Sequence, residues 1–261
     1  MSSGKYKYLF WDLDGTLTQS EFGIIDSVIY ALGKMNIEPE PRENLKKFIG
    51  PPLYESFKNF YNMTPENAEE AVRLYREFYT KEGVFRAPLY DGISELLEKL
   101  TVLGYRNMVV TSKPADLADV VVEHNGIRQY FDAIVGPTRA EKHSDKTILI
   151  ETAMKLCKTE GVHGVVTPGD VMNKESSENS SEEKTGASSE TDNAAENIIA
   201  EEIRKSAVMI GDRHYDINAA VKCGIDSIGV LFGYGSEEEL KAAGATYIAE
   251  TSEKILSLLE K

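Results

Sequence analysis

The stretch YLFWDLDGT, residues 8–16, ends an apolar run on two carboxylates, Asp12 and Asp14. Two negative charges at that spacing repel, and an ordinary strand end has no use for them. A site that holds a cation and moves a phosphoryl group does. Carboxylate oxygens are the hard ligands that Mg²⁺ prefers, and a carboxylate held beside an ester can act as its nucleophile. Other reactive residues also stand where apolar runs stop. Thr111, Ser112 and Lys113 follow RNMVV, Asp212 follows SAVMIG, and Asp216 lies one helical turn beyond. Lys146 comes after FDAIVG at the start of a helical stretch, with Lys142 a rival for the same place. Each of these alone has a bland reading: a helix cap, a solvated charge, an N-terminal turn.

Positioning them requires strands whose ends converge. Residues 6–11 are predicted to form a buried strand, as are RNMVVTS, FDAIVG, SAVMIGD, DSIGVLFG and ATYIAE. Helices are expected between them: one capped by Asp91 and ended by Gly104, one closed by Gly126, one from Ser144 to about Cys157, and one ended by Gly224. Ser236 and Glu239 have the spacing of a capping box. Strands that read as continuous apolar runs and alternate with helices indicate a parallel sheet covered on both faces. The fold class is therefore α/β, a Rossmann-like parallel core. The reactive residues fall at its carboxyl edge, where open α/β sheets bind ligands.

Residues 17–88 lack strand-like alternation and read as helices. Phe22, Ile25, Ile29 and Leu32 recur at helical spacing, and Thr64-Pro65 reads as a cap followed by a first-turn proline. This gives a core of residues 1–16 and 89–261 and a small all-helical unit of residues 17–88. Tyr54, Phe57, Phe60 and Tyr61 are expected to pack that unit rather than stack on a base. From Asn173 to about Ile203 the chain carries nine acidic residues and two lysines, half of the total net charge of −14. The Ser/Glu/Asn-rich part of this segment cannot bury enough surface to offset its ordering entropy, so it is read as an insertion.

DxDGT, a strand-ending threonine, a downstream lysine and GDxxxD occur here in one order. In this the chain resembles the phosphatases of the haloacid dehalogenase superfamily, in the helical-cap branch that includes phosphoglycolate phosphatases and 5'-nucleotidases. FIGPPL, residues 48–53, resembles the loop by which that cap reaches the site, which implicates Gly50 and Pro51 in substrate binding. The resemblance implies that Asp12 is a nucleophile forming an aspartyl-phosphate and that Asp14 is general acid and base. It also implies that Mg²⁺ is held by Asp12, the Asp14 carbonyl, Asp212 and Asp216. Thr111 and backbone N–H groups near Asp14 and Ser112 would hold the phosphoryl oxygens, Lys146 would offset the charge of Asp12 and the phosphate, and Thr16, Ser112 and Lys113 would contact the substrate. The implied substrate is a small phosphate ester, a nucleoside 5'-monophosphate or 2-phosphoglycolate. The alternatives are a sugar phosphomutase, for which QSEFG at residues 19–23 supplies no histidine or basic residue, and a non-catalytic interaction protein using the acidic segment.

A net charge of −14 and an isoelectric point near 4.9 disfavour nucleic acids and anionic membranes as partners. No run is apolar enough to cross a bilayer, and the first residues do not read as a secretory signal, so a cytoplasmic location is expected. The sequence leaves monomer and homodimer both open. Cys157 and Cys223 are expected to be buried free thiols. There is no P-loop lysine motif, and GYGSEE at Gly233 lacks the third glycine of a dinucleotide fingerprint.

Overall fold

The computed structural model describes residues 4–141, 145–158, 164–171 and 190–260, with backbone alone for 190–196. Seven strands form one sheet: β1 (Tyr8–Trp11), β2 (Arg106–Val110), β3 (Ala133–Val135), β4 (Gly164–Val166), β5 (Ala207–Gly211), β6 (Asp226–Val230) and β7 (Tyr247–Ala249). Their order is β4-β3-β2-β1-β5-β6-β7, and every pairing is parallel. β1 sits at the centre with Phe10 opposite Met108 on one side and Met209 on the other. All of β1 and β5 is buried, as a strand covered on both faces must be. β4 is the strand that sequence reading missed. It is three residues long and not fully buried, so it lacks the apolar signature of the others.

Side chains alternate across the sheet and feed two cores. Leu9 and Trp11 point into one, and Tyr8 and Phe10 into the other. The helices that cover the faces are α5 (Ile93–Val102), α6 (Ala115–His124), α7 (Lys146–Leu156), α8 (Glu190–Ser206), α9 (His214–Cys223), α10 (Glu237–Ala242) and α11 (Ser252–Leu259). α8 corrects the expected insertion of residues 173–203: its C-terminal part is framework, with Ile203 buried beside Ala207 and Cys223 in the second core. Composition hid this because the acidic residues around Ile203 face outward; Glu201 and Glu202 are exposed. Residues 172–189 and Lys142 lie outside the described residues. Cys157 and Cys223 are both buried and free, and burial pushes their thiols up to about 12 and about 11.

Several helix ends differ from expectation. α5 is capped by Gly92 in a left-handed conformation, not by Asp91, whose carbonyl instead accepts from the Ser252 hydroxyl. α7 begins at Lys146 with Asp145 as cap, its carboxylate accepting from the Thr147 N–H at 2.9 Å. Ser144, the expected start, lies outside the described residues. At α10 the Ser236 hydroxyl caps the Glu239 N–H, but the Glu239 carboxylate does not return the bond; it accepts from Arg213 and His214.

Between β1 and β2 the chain leaves the sheet and forms α1 (Glu21–Lys34), α2 (Arg42–Leu45), α3 (Leu53–Tyr61) and α4 (Pro65–Tyr79). Thr64 caps α4 and Pro65 takes its first turn, as its sequence requires. Exit and return pair with each other: Gln19 N–H donates to the Pro88 carbonyl at 2.8 Å and Tyr90 N–H to Leu17 at 3.1 Å. Phe48 meets Phe57 edge-on at 5.0 Å and Phe60 at 5.3 Å, so these rings do build the helical layer's core. Phe22 does not join that core and is exposed, whereas Ile25 and Leu32 are fully buried.

Candidate active site

The central strands end together at their carboxyl edge, and Asp12, Thr111 and Asp212 follow β1, β2 and β5 directly. Asp12, Asp212 and Asp216 are buried with one carboxylate oxygen each lying within 4.8 Å of the others. Lys146 reaches in from the first turn of α7, its Nζ 2.6 Å from Asp12 Oδ1 and 2.8 Å from Asp216 Oδ1. Two of the three carboxylates thus share one ammonium, and Asp212 has no cation of its own among these contacts. Burial, Asp216 and Asp14 raise the Asp12 carboxyl to about 6 against the pull of Lys146. Burial first, then Asp216 and Asp12, push Asp212 well above the ordinary carboxylate range. Burial disfavours charge on Lys146, but its two carboxylates outweigh that and keep it protonated.

Asp212 is held from two sides. The Thr16 hydroxyl donates to Oδ1 at 3.2 Å and the Tyr234 N–H to Oδ2 at 2.8 Å. Close backbone packing makes this possible. A methyl group at Gly15 or Gly233 would strike the Asp212 carboxylate, and one at Gly211 would strike Asp216. Gly15 also has φ +93°, a conformation that costs a side chain dearly. These glycines are a part of the site that sequence reading does not reach, because their role lies in what packs against them.

Asp14 turns the other way. Lys113 Nζ lies 2.7 and 2.5 Å from its two oxygens and 2.8 Å from the Tyr79 hydroxyl of α4. The Asp14 side chain is therefore outside the acidic cluster. Thr111 is buried, its hydroxyl accepting from the Lys113 N–H at 3.2 Å. Asp14, Ser112 and Lys113 form one wall of a cavity of about 380 Å³ under the helical layer, and Gly50, Pro51 and Tyr54 form part of the other. Tyr79 was not anticipated; nothing in its helical spacing marks it apart from a core aromatic. Arg213 was not anticipated either. It bonds Glu239 at 2.9 Å and reaches across to the Ile49 carbonyl at 3.2 Å, tying the sheet edge to the FIGPP loop.

The profile of the haloacid dehalogenase-like hydrolases matches residues 9–172, and a second profile of the same group matches residues 187–254. The chain belongs to the haloacid dehalogenase-like hydrolase family. It is 32% identical to a 5'-nucleotidase of Pseudomonas aeruginosa over 98% of this chain and 96% of that protein. It is 29% identical to the tyrosine-protein kinase PtkA of Mycobacterium tuberculosis, over 94% of this chain and 68% of that one. A phosphoglycolate phosphatase of Vibrio parahaemolyticus is 24% identical over 99% and 98%. The crystal structure of a predicted phosphatase from Clostridium acetobutylicum superposes with a TM-score of 0.76 at 37% identity, covering 97% of this chain and 99% of that one. The seven-stranded parallel sheet matches the fold of these phosphatases. The chain is thus a phosphatase of the hydrolase class, and the buried acidic cluster suits the divalent cation that such enzymes generally use. Among the described residues no helix is long and apolar enough to cross a membrane.

Proposed function

We propose that this chain is a Mg²⁺-dependent phosphomonoesterase that works through an aspartyl-phosphate on Asp12. Its substrate would be a small phosphate ester, with a nucleoside 5'-monophosphate and 2-phosphoglycolate the leading candidates. The residues 17–88 would serve as a cap over a core of residues 1–16 and 89–261. The observation that carries the reading is the pairing of an acidic cluster around Asp12 with a separate Asp14–Lys113 pair two residues away.

The donor set fits a hard divalent cation. Asp12, Asp212 and Asp216 offer three buried carboxylate oxygens, and the Asp14 carbonyl would complete the protein's share. Burial and mutual repulsion raise the Asp12 and Asp212 carboxyls, which is the mark of a cluster short of positive charge. When bound, the cation neutralises the carboxylates and polarises the phosphoryl group. Asp12 then attacks phosphorus while the ester P–O bond breaks. Asp14 gives its proton to the departing alkoxide and takes one back from the water that hydrolyses the Asp12 acyl phosphate. In the free site Lys113 grips both Asp14 oxygens. A phosphate dianion entering the cleft would draw on the same ammonium and loosen its hold on Asp14. Lys146 offsets the charge on Asp12, and Thr111 with Ser112 supports the phosphoryl oxygens. The helical layer excludes water from the cleft.

The test is a panel of phosphate esters assayed with Mg²⁺ for released phosphate, including nucleoside monophosphates, 2-phosphoglycolate and sugar phosphates. Selective hydrolysis of one class supports the reading. Interconversion of sugar phosphates without phosphate release would replace it with a mutase.

A further inference from the structure

The cavity beside Asp14 contains a cation that the proposed chemistry leaves unused. Four basic residues line it: Arg73, Arg76, Lys113 and Arg139. Three are engaged. Lys113 holds Asp14, Arg73 makes a two-armed bond to Glu70 at 2.7 and 2.8 Å, and Arg139 Nε lies 2.6 Å from Asp116. Arg76 has no ion pair and no side-chain hydrogen bond among the described residues, although it is about half-buried. Burial and its like-charged neighbour Arg139 both disfavour its charge, and the carboxylate that favours it, Asp116, is already bonded to Arg139.

An arginine does not shed its proton under such pressure; it takes up an anion. We propose that Arg76, backed by Arg139, binds a second anionic group on the substrate, a carboxylate or a further phosphate carried by the leaving group. Arg76 stands on α4 three residues before Tyr79, whose hydroxyl touches Lys113. The same helix face therefore runs from the Asp14 end of the cavity to Arg76. A small ester with its phosphate at Asp12 would extend its other end along that face. The tyrosines that line this path, Tyr75 and Tyr79, are stacked at 5.3 Å and give it apolar walls. A guanidinium can bind a carboxylate or phosphate through two parallel charge-assisted hydrogen bonds, so such a contact separates a charged tail from a neutral one. This inference rests on the phosphatase reading and sharpens it: it favours a phosphorylated hydroxy acid or a bisphosphate over a nucleoside monophosphate, whose single phosphate is the one transferred.

Matched pairs test it. 2-Phosphoglycolate is compared with 2-hydroxyethyl phosphate, its neutral-tailed counterpart, and ethylene glycol bisphosphate supplies the phosphate tail. Wild-type enzyme is expected to favour at least one charged tail over the neutral one by about tenfold or more in kcat/KM. Arg76→Gln should bring that ratio close to one, mainly through KM, and Arg76→Lys should retain part of it. Which tail wins distinguishes carboxylate from phosphate. Equal use of charged and neutral tails by wild type, or a ratio that survives Arg76→Gln in a protein with an unchanged melting temperature, overturns the second-anion site while leaving the phosphatase reading intact. No phosphate release from any ester, including p-nitrophenyl phosphate, overturns both.

Discussion

Asp12 and Asp14 stand two residues apart, yet their side chains keep different company. Asp12 meets Lys146, Asp212 and Asp216, all positioned by the sheet and the helices that follow its strands. Asp14 meets Lys113 from the sheet edge and, through it, Tyr79 from the helical layer. The Asp12 side is built on sheet elements, and its close packing leaves no room for a side chain at Gly15, Gly211 or Gly233. The Asp14 side is assembled from two layers. On the proposed mechanism, the cation and nucleophile belong to the fixed half. Recognition and proton transfer would then fall to the half that depends on how the helical layer sits.

The largest effect should come from breaking the fixed half. Asp212→Asn removes one of three crowded carboxylates. A carboxyl whose folded pKa is raised costs the fold stability at neutral pH, because the unfolded chain ionises more readily. In chelator the variant should therefore melt higher than wild type, by about 2–4 °C for each kcal/mol of repulsion relieved. With excess Mg²⁺ it should lose the cation's stabilisation, and activity should fall by about 10⁴-fold or more, well beyond the cost of losing an outer-shell partner of a bound metal. Thermal melts with and without the cation, beside a phosphate-release assay, check both signs. A lower melt in chelator would mean that the acids are not crowded.

On the other side, Asp14→Asn should cut turnover by roughly 10²–10⁴-fold, the usual worth of a positioned acid and base. The loss should be smaller for esters with good leaving groups, which need less protonation. Tyr79→Phe deletes only the hydroxyl that accepts from Lys113. About 0.5–1.5 kcal/mol is at stake, so a change of a few-fold in kcat/KM is expected. A Tyr79 variant as damaged as the Asp14 variant would show that the two sides are not separable as described.

Glu239 joins the halves through Arg213, which bonds the Ile49 carbonyl. Burial would raise its carboxyl, but hydrogen bonds from the backbone and ring of His214 and from Arg213 outweigh it and hold the group at about 2. A depressed pKa contributes stability above the unfolded value, ordinarily about 4.5, and that contribution fades as pH falls from there towards 2. The melting-temperature gap between wild type and Glu239→Gln should thus be full at pH 7 and shrink below about pH 4.5. A gap independent of pH would contradict the assignment. The smallest effect is expected from removing residues 175–187, whose composition offers no core. Melt and activity should barely change, whereas extending the cut through Ile203 should unfold the protein.

Much of this arrangement is legible in the sequence because strand ends carry it. The central strands are continuous apolar runs, and Asp12, Thr111 and Asp212 follow three of them directly. α8 was misread because its acidic surface resembles the Ser/Glu-rich stretch before it, and one buried isoleucine leaves little trace. β4 is too short and too exposed to announce itself. Tyr79, Arg76 and Arg213 act across layers, so no local spacing marks them; only the docking of α4 and the FIGPP loop over the sheet brings them to the cleft. Gly211 and Gly233 matter through what lies against them, which composition cannot reveal.

The central claim is that Asp12 becomes covalently phosphorylated. Enzyme mixed with a phosphate-labelled ester and Mg²⁺, then quenched in acid within one turnover, should carry label on the peptide containing Asp12. The bond should withstand acid and break with hydroxylamine, as an acyl phosphate does. Asp12→Asn should carry no label and show no turnover while melting cooperatively. An unlabelled wild type caught during active turnover, or an Asp12→Asn variant that hydrolyses the ester at the wild-type rate, would contradict the account.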